Sequence, residues 1–305
     1  MNQSRIFTEK IIDKLYKPLR IKLKNKPKTY RKKARKNYLK IAKQRKPRKK
    51  ARRIAIKQQL QYIKRNLSHI EKLLIEGASL LCLNRLEYKK LLVVAEVYRQ
   101  QFSMYEHKTN RIEDRIVSIN QPHVRPIVRG KAGSSVEFGA KISASCIDGY
   151  VFLDHLSWSN FNESNHFIEQ VESFQEKTGY YPSSVHVDQI YRTRKNRAFC
   201  QDKGIRISGV PLGRPPKNIS NKTKKQAQED ERIRNAIEGK FGQGKRRFTL
   251  NKIMTKLTST SATTIAIIFL VMNLSALARA FLSLFFVENL WNGFLINLNY
   301  FKDIY

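Results

Sequence analysis

Arg234-Asn-Ala-Ile-Glu238-Gly-Lys-Phe-Gly-Gln-Gly-Lys245 is the stretch from which the rest of the chain can be placed. Ile233, Ile237 and Phe241 recur every four residues, which predicts a helix with these three toward a core. Arg234 and Glu238 are also four apart, and Lys245 lies seven beyond Glu238, so one carboxylate and two cations share a neighbouring face. Gly239, Gly242 and Gly244 are poor helix formers; they predict either a close approach to the backbone or fraying near Gly244.

Upstream, Ser184-Val-His-Val-Asp188 reads as a short buried strand, with Val185 and Val187 on one side and His186 and Asp188 on the other. A helix carrying Arg192, Arg194, Lys195 and Arg197 follows, then a strand over 204–207 and a polar, Pro- and Lys-rich loop over 211–226. Earlier, Val136, Phe138, Ala140, Ile142 and Ala144 alternate with Glu137, Gly139, Lys141, Ser143 and Ser145 in the clearest strand of the chain. Asp148-Gly149 predicts a two-residue hairpin turn, with 150–153 as the returning strand. Asn162 or Ser164 can cap a helix whose core face is Phe167, Ile168, Val171 and Phe174 and which Gly179 ends. A β-type run, Arg115-Ile-Val-Ser-Ile119, precedes all of this, followed by a loop marked by Pro122, Pro126, Gly130 and Gly133. The order hairpin, helix, strand, helix, strand, helix predicts an α/β chain with a mixed sheet flanked by helices.

The formal charge of +36 over 305 residues points to a polyanionic partner, either nucleic acid or an anionic membrane. Cys82, Cys146 and Cys200 are odd in number and far apart, which excludes a disulfide framework and a zinc site and suits a reducing cytosol. The basic N-terminus has no apolar stretch of signal-peptide length, so secretion is not expected.

Residues 1–65 hold about two dozen Lys and Arg and very few acids. Ile11, Ile12 and Leu15, then Tyr38, Leu39 and Ile41, then Ile54, Ile56 and Leu60 keep helical spacing, and Pro18, Pro27 and Pro47 divide the segment. Basic helices laid on DNA phosphates are favoured over a solvated tail, because sequence-independent affinity comes chiefly from such cations. Residues 60–105 read as a helical pair, with Leu60, Ile63, Leu67, Ile70, Leu73 and Leu74 in one stripe and Gly77 or Asn84 at the turn. Near the other end, 263–286 is nearly apolar, but Asn273, Ser275 and Arg279 interrupt it. A buried core helix is expected there and no membrane, since an Arg at mid-bilayer is costly.

Two carboxylates from different elements of a basic protein suit a Mg²⁺ site for phosphoryl transfer, with an Arg and a Lys nearby to hold phosphate. The bland alternative stays open, because an Asp at a strand end commonly caps a turn. The arrangement Val185-His-Val-Asp188-Gln-Ile-Tyr191, then Gly204-Ile-Arg-Ile207, then Arg-x-x-x-Glu-x-x-x-x-x-x-Lys at Arg234, Glu238 and Lys245 resembles the DDE transposases of bacterial insertion sequences. The resemblance spans essentially the whole chain and is most specific over 110–285; the run from Ile116 to Lys131 is similar to one subgroup.

It implies a ribonuclease-H-like core, with Asp188 and Glu238 as catalytic residues and ligands of a two-metal site for Mg²⁺ or Mn²⁺. It also implies DNA contacts from Arg234, Lys245, Arg192, Arg194, Lys195 and Tyr191. Glu231 stands where the family's signature has Tyr. The implied reaction is metal-dependent cleavage and strand transfer of insertion-sequence DNA at transposon ends and target, by a homodimer in the cytoplasm at the nucleoid. No Val-Asp-small-Thr run, the family's context for its first acid, occurs in the chain. The chain therefore resembles the C-terminal part of such an enzyme, lacking the first strand and first Asp. Residues 1–110 would be its basic helical insertion, 111–290 the core and 291–305 a tail. A rival reading takes 115–119 as the first strand with Asp114 or Glu113 as the missing ligand. The alternative function is an inactive remnant acting only as a basic DNA-binding protein.

Overall fold

The computed structural model describes residues 1–128, 136–209 and 220–302, with side chains described as far as Phe285. The chain forms two compact units, Met1–Gly139 and Ala140–Tyr305.

The first unit is a set of helices: α1 (Asn2–Leu19), α2 (Arg31–Ala42), α3 (Lys49–Ile75) and α4 (Arg85–Glu106). Ile11, Ile12, Leu15 and Leu19 of α1 pack with Ile70 and Leu73 of α3 to make its core. The basic segment is thus ordered by its apolar positions, and Lys32, Lys33, Arg35, Lys36 and Lys40 of α2 are left exposed. Pro18 stays within the last turn of α1, while Pro27 and Pro47 fall between helices as expected. Ile54, expected in the apolar stripe, is 50% exposed, whereas Leu60 and Ile63 are buried. Both turn candidates between α3 and α4 are used. Gly77 takes φ +104°, and Asn84 caps α4 through a reciprocal capping box with Glu87.

The run over 115–119 is not a strand. The buried Gln100 of α4 takes its backbone instead: Ile116 N–H donates to Gln100 Oε1 (2.9 Å), and Gln100 Nε2 donates to the Asp114 carbonyl (3.2 Å). The rival first strand is therefore absent, and Asp114 sits in a left-handed turn at φ 49°. Residues expected as loop instead form β1 (Arg125–Val128), antiparallel to β2 (Val136–Gly139). The Gly130 and Gly133 loop lies outside the described residues.

The strand expected to run unbroken from 136 to 144 divides at Gly139, whose φ of +151° only glycine adopts readily. Beyond it, β3 (Lys141–Ile147) pairs with β4 (Tyr150–Ser157). The turn is the one expected: Asp148 (φ 48°) and Gly149 (φ 82°) are both left-handed, as a tight hairpin requires. Asn162 caps a 3-10 turn (Glu163–His166) that leads into α5 (Phe167–Thr178), which ends at Gly179. Next come β5 (Ser184–Val185), α6 (Arg194–Asp202), β6 (Arg206–Ile207), α7 (Asn221–Arg247) and α8 (Thr258–Lys302). Phe167, Val171, Cys200 and Ile205 form the core between α5, α6 and β6.

The class is mixed helix and strand, as expected. The single mixed sheet is not seen: the described strands make three two-stranded sheets, with β5 and β6 parallel. Strand β5 stops early because side chains take the backbone of Val187. Its N–H donates to Ser208 Oγ (3.1 Å), and its carbonyl accepts from Arg192 Nη2 (2.8 Å). The loop expected over 211–226 is helix from Asn221, since the Ser220 hydroxyl accepts from Thr223 N–H and starts α7 there. Residues 210–219 lie outside the described set.

Helix α7 runs through all three glycines to Arg247. Close approach accounts for Gly244: a Cβ there would come within 3.1 Å of Leu250 Cδ2 and Met272 Sδ. Ile237 and Phe241 pack against the second core, but Ile233 is 44% exposed, contrary to expectation. That core joins Val151 to Ile265, Ile268, Phe269 and Met272 of α8. Helix α8 is therefore buried on one side only. Leu270, Leu274, Leu277 and Phe281 are more than half exposed, which corrects the expected fully buried helix. Its stretch Thr258–Phe285 is long and apolar enough to cross a membrane by length and composition.

Asn273, which interrupts the apolar run, has a structural use. Its amide accepts from Val151 N–H (2.9 Å) and donates to the Val151 carbonyl (2.8 Å), so it serves the outer edge of β4 as a strand partner would. Asn273→Ala leaves both buried groups unsatisfied and is expected to cost about 1–3 kcal/mol, read as a lower urea midpoint. Asp154 of β4 accepts from Ser145 Oγ and Gln170 Nε2, yet burial pushes its carboxyl up to about 6. A raised acid pKa makes folding costlier as pH rises from the unfolded value near 3.8 through about 6. Asp154→Asn is thus expected to gain urea resistance over wild type above pH 6, roughly 1–3 kcal/mol, with the gap closing by about pH 4. A gap independent of pH would refute this.

Candidate active site

Asp188 follows the early end of β5 and begins a 3-10 turn, Gln189–Tyr191, but its side chain caps nothing in that turn. The ordinary duty of an Asp in this position is therefore unfilled. Its carboxylate, 60% exposed, meets the guanidinium of Arg234 instead: Arg234 Nη1 donates to Asp188 Oδ1 at 2.5 Å. The same nitrogen reaches Glu238 Oε1, 3.4 Å away and one helical turn along α7. The two acids singled out in the sequence are thus brought to one point by the arginine between them.

Arg234 has a third acidic neighbour. Its Nε donates to Glu231 Oε2 (3.0 Å) and its Nη2 to Glu231 Oε1 (2.5 Å), a two-bond fork within the helix. Nη2 also donates to Asn235 Oδ1 at 2.8 Å. This fork, first among the causes, raises the arginine's pKa further, with Asp188 adding to it. Arg234 in turn holds the Glu231 carboxyl below its usual range. Arg234 is 18% exposed, so its guanidinium is largely enclosed by these partners.

The placement of α7 depends on a residue that sequence reasoning passed over. Asp230, 7% exposed, accepts a fork from Arg206 of β6, both bonds at 2.8 Å, and a further bond from Gln226 (3.1 Å). His186 Nδ1 lies 3.4 Å from the same carboxylate. The Arg206 fork holds the Asp230 carboxyl below its usual range, and burial lowers the His186 pKa. Four-residue spacing was the available signal, since Asp230, Arg234 and Glu238 share one stripe.

The other expected site residues are not gathered here. Tyr191 turns inward: its hydroxyl donates to Glu163 Oε2 (3.1 Å), the Asn196 amide holds its carbonyl, and burial raises its pKa. Arg192 is committed to the Val187 carbonyl and packs over Gly209, where an added Cβ would lie 2.1 Å from its guanidinium carbon. Arg194 and Lys195 are exposed on α6. Lys245 is exposed seven residues past Glu238.

A family model described as a transposase DDE domain matches residues 185–275, a stretch that runs from the end of β5 into α8 and includes every residue of the Arg234 cluster. Neither the curated proteins nor the solved structures give a significant match. Residues 185–275 thus match a transposase DDE domain, which supports a DDE transposase of insertion-sequence type.

Proposed function

We propose that this chain performs metal-dependent strand cleavage and strand transfer on insertion-sequence DNA. The domain it carries implies a DNA substrate and dependence on a divalent metal. The observation that supports the finer reading is the meeting of Asp188 Oδ1 and Glu238 Oε1 on one cationic nitrogen, from two separate elements. Two exposed carboxylates that converge on a positive group suit a hard cation that keeps several of its own waters. Among the described residues no group of three or more His, Cys, Asp or Glu is arranged to hold a metal. Asp188 and Glu238 would therefore hold Mg²⁺ or Mn²⁺ with water completing the shell, and the two-metal form needs a further acid. When bound, such a cation supplies activation of the attacking hydroxyl and charge relief for the leaving oxygen.

The chain's own groups do the rest. Arg234, relieved of Asp188 and Glu238, offers planar donors to a phosphate oxygen. Lys245, Arg194 and Lys195 are exposed cations of the same unit and would hold the strand as point charges. We take the core, ribonuclease-H-like in this reading, as 111–290, with residues 1–110 as a helical DNA-contacting region whose exposed cations suit phosphates. The active species is proposed as a homodimer in the cytoplasm at the nucleoid, which suits a charge of +36. Helix α8 is read as a protein surface and not a span, because Arg279 lies in its apolar run. One observation favours the second reading, an inactive DNA-binding remnant: among the described residues only Asp188 and Glu238 answer to the three acids of the family this chain resembles.

Nicking of supercoiled plasmid in Mg²⁺ or Mn²⁺ separates the two. Asp188→Ala and Glu238→Ala are each expected to slow nicking by on the order of a hundredfold. If wild type cuts and both variants still cut, the site assignment fails; if wild type binds DNA without cutting, the remnant reading stands. DNA affinity is expected to fall steeply and linearly with log salt, and Arg194→Ala to lower that slope by about 1. An unchanged slope would remove Arg194 from the phosphate contacts.

A further inference from the structure

Glu231 carries an inference beyond this reading, and it rests on Asp188 and Glu238 being the metal ligands. The guanidinium of Arg234 divides its bonds by edge. Nε and Nη2 belong to Glu231, whereas Nη1 alone touches Asp188 and Glu238. The Glu231 fork lies within α7, three residues from Arg234, so it does not depend on where Asp188 sits. The Nη1 contacts can therefore be given up while the fork remains.

Charge points the same way. Glu231 balances the charge of Arg234, so when the arginine lets go of Asp188 and Glu238 their two negative charges are left for one divalent cation. Without Glu231 the arginine's charge stays on those two carboxylates. Arg234, mostly enclosed, would then have no forked partner left once it released Asp188 and Glu238, and an enclosed guanidinium without a partner is costly.

We infer that Glu231 is a positioning residue: it anchors Arg234 by two bonds, so that the arginine can release Asp188 and Glu238 to a divalent cation and stay beside them. The position held by Tyr in the signature this chain resembles thus has a local use here. Arg234 occupies the carboxylates before the cation arrives, and Glu231 sets how readily it leaves.

Mn²⁺ binding to the full chain, followed by the loss of its free-ion electron paramagnetic resonance signal, tests this without any DNA. Glu231→Gln is expected to weaken Mn²⁺ binding about three- to fivefold, the size of losing one partly exposed charge partner. Arg234→Met, which removes the competing cation, is expected to tighten it by a similar factor. In the Arg234→Met background, Glu231→Gln is expected to change binding by less than about twofold, because Glu231 acts through the arginine. Equal losses in both backgrounds would make Glu231 a direct ligand or a remote charge and overturn the inference. No loss on Glu231→Gln in the presence of Arg234 would overturn it as well. Asp188→Ala and Glu238→Ala test the reading beneath: if both still bind Mn²⁺ as wild type does, the ligand assignment falls whatever Glu231 does. Far-ultraviolet circular dichroism is expected to be the same for all variants; a variant that loses helix is replaced by Glu231→Ser, with the same expectation.

Discussion

The buried fork between Arg206 and Asp230 is the contact on which the candidate site depends. It ties the first half of α7 to β6, and β6 is paired with β5, the element that Asp188 follows. A helix is rigid over two turns, so fixing Asp230 fixes Arg234 and Glu238 along the same face. The pair is nearly closed to solvent on the Asp230 side, where an ion pair persists only with every lone pair used. Arg206 takes both oxygens and Gln226 adds to one of them. The carboxyl is held low, so this tie is present at neutral pH and weakens only as pH falls through its folded value, below the ordinary 3.8.

Strand β5 ends for a local physical reason. Side chains replace ladder partners: Ser208 and Arg192 take the two backbone groups of Val187. The strand stops, the chain turns, and Asp188 is released from sheet duty with its carboxylate free for α7. A longer strand would have kept the backbone of residues 186–188 in the ladder. Arg192 has this structural use, and Gly209 leaves room for it because no side chain fits beneath its guanidinium.

Much of this was legible in the sequence. The Asp148-Gly149 turn, the Gly179 stop and the helix over Arg234 and Glu238 follow from local rules of spacing and backbone freedom, whereas the pairing of Asp188 with that helix came from the resemblance to DDE transposases. Where reading failed, a distant side chain had decided the matter. Gln100 claimed the backbone of Asp114 and Ile116, Asn273 closed the edge of β4, and Asp230 anchored α7. Each is a polar residue whose partner lies far along the chain or on another element, and periodicity carries no trace of such a bond. Ile233 failed differently: the four-residue rule places three apolar residues in line, but the core under α7 extends only beneath Ile237 and Phe241.

Helix α8 shows how one residue can be misread when composition is judged alone. Asn273 looks like an interruption of a hydrophobic run. In the fold its amide is a directional contact, accepting from the N–H of Val151 and donating to the carbonyl of the same residue. The apolar side chains around it, Ile265, Ile268, Phe269 and Met272, supply area without direction; the amide supplies register. Register matters at this place because Met272 also lies against Gly244 near the C-terminal end of α7. The helix that bears Glu238 is therefore located twice, in its first half by the Asp230 fork and near its end by the close approach of α8. Between those two points the Arg234 cluster is held at the exposed surface, where a phosphate could reach it.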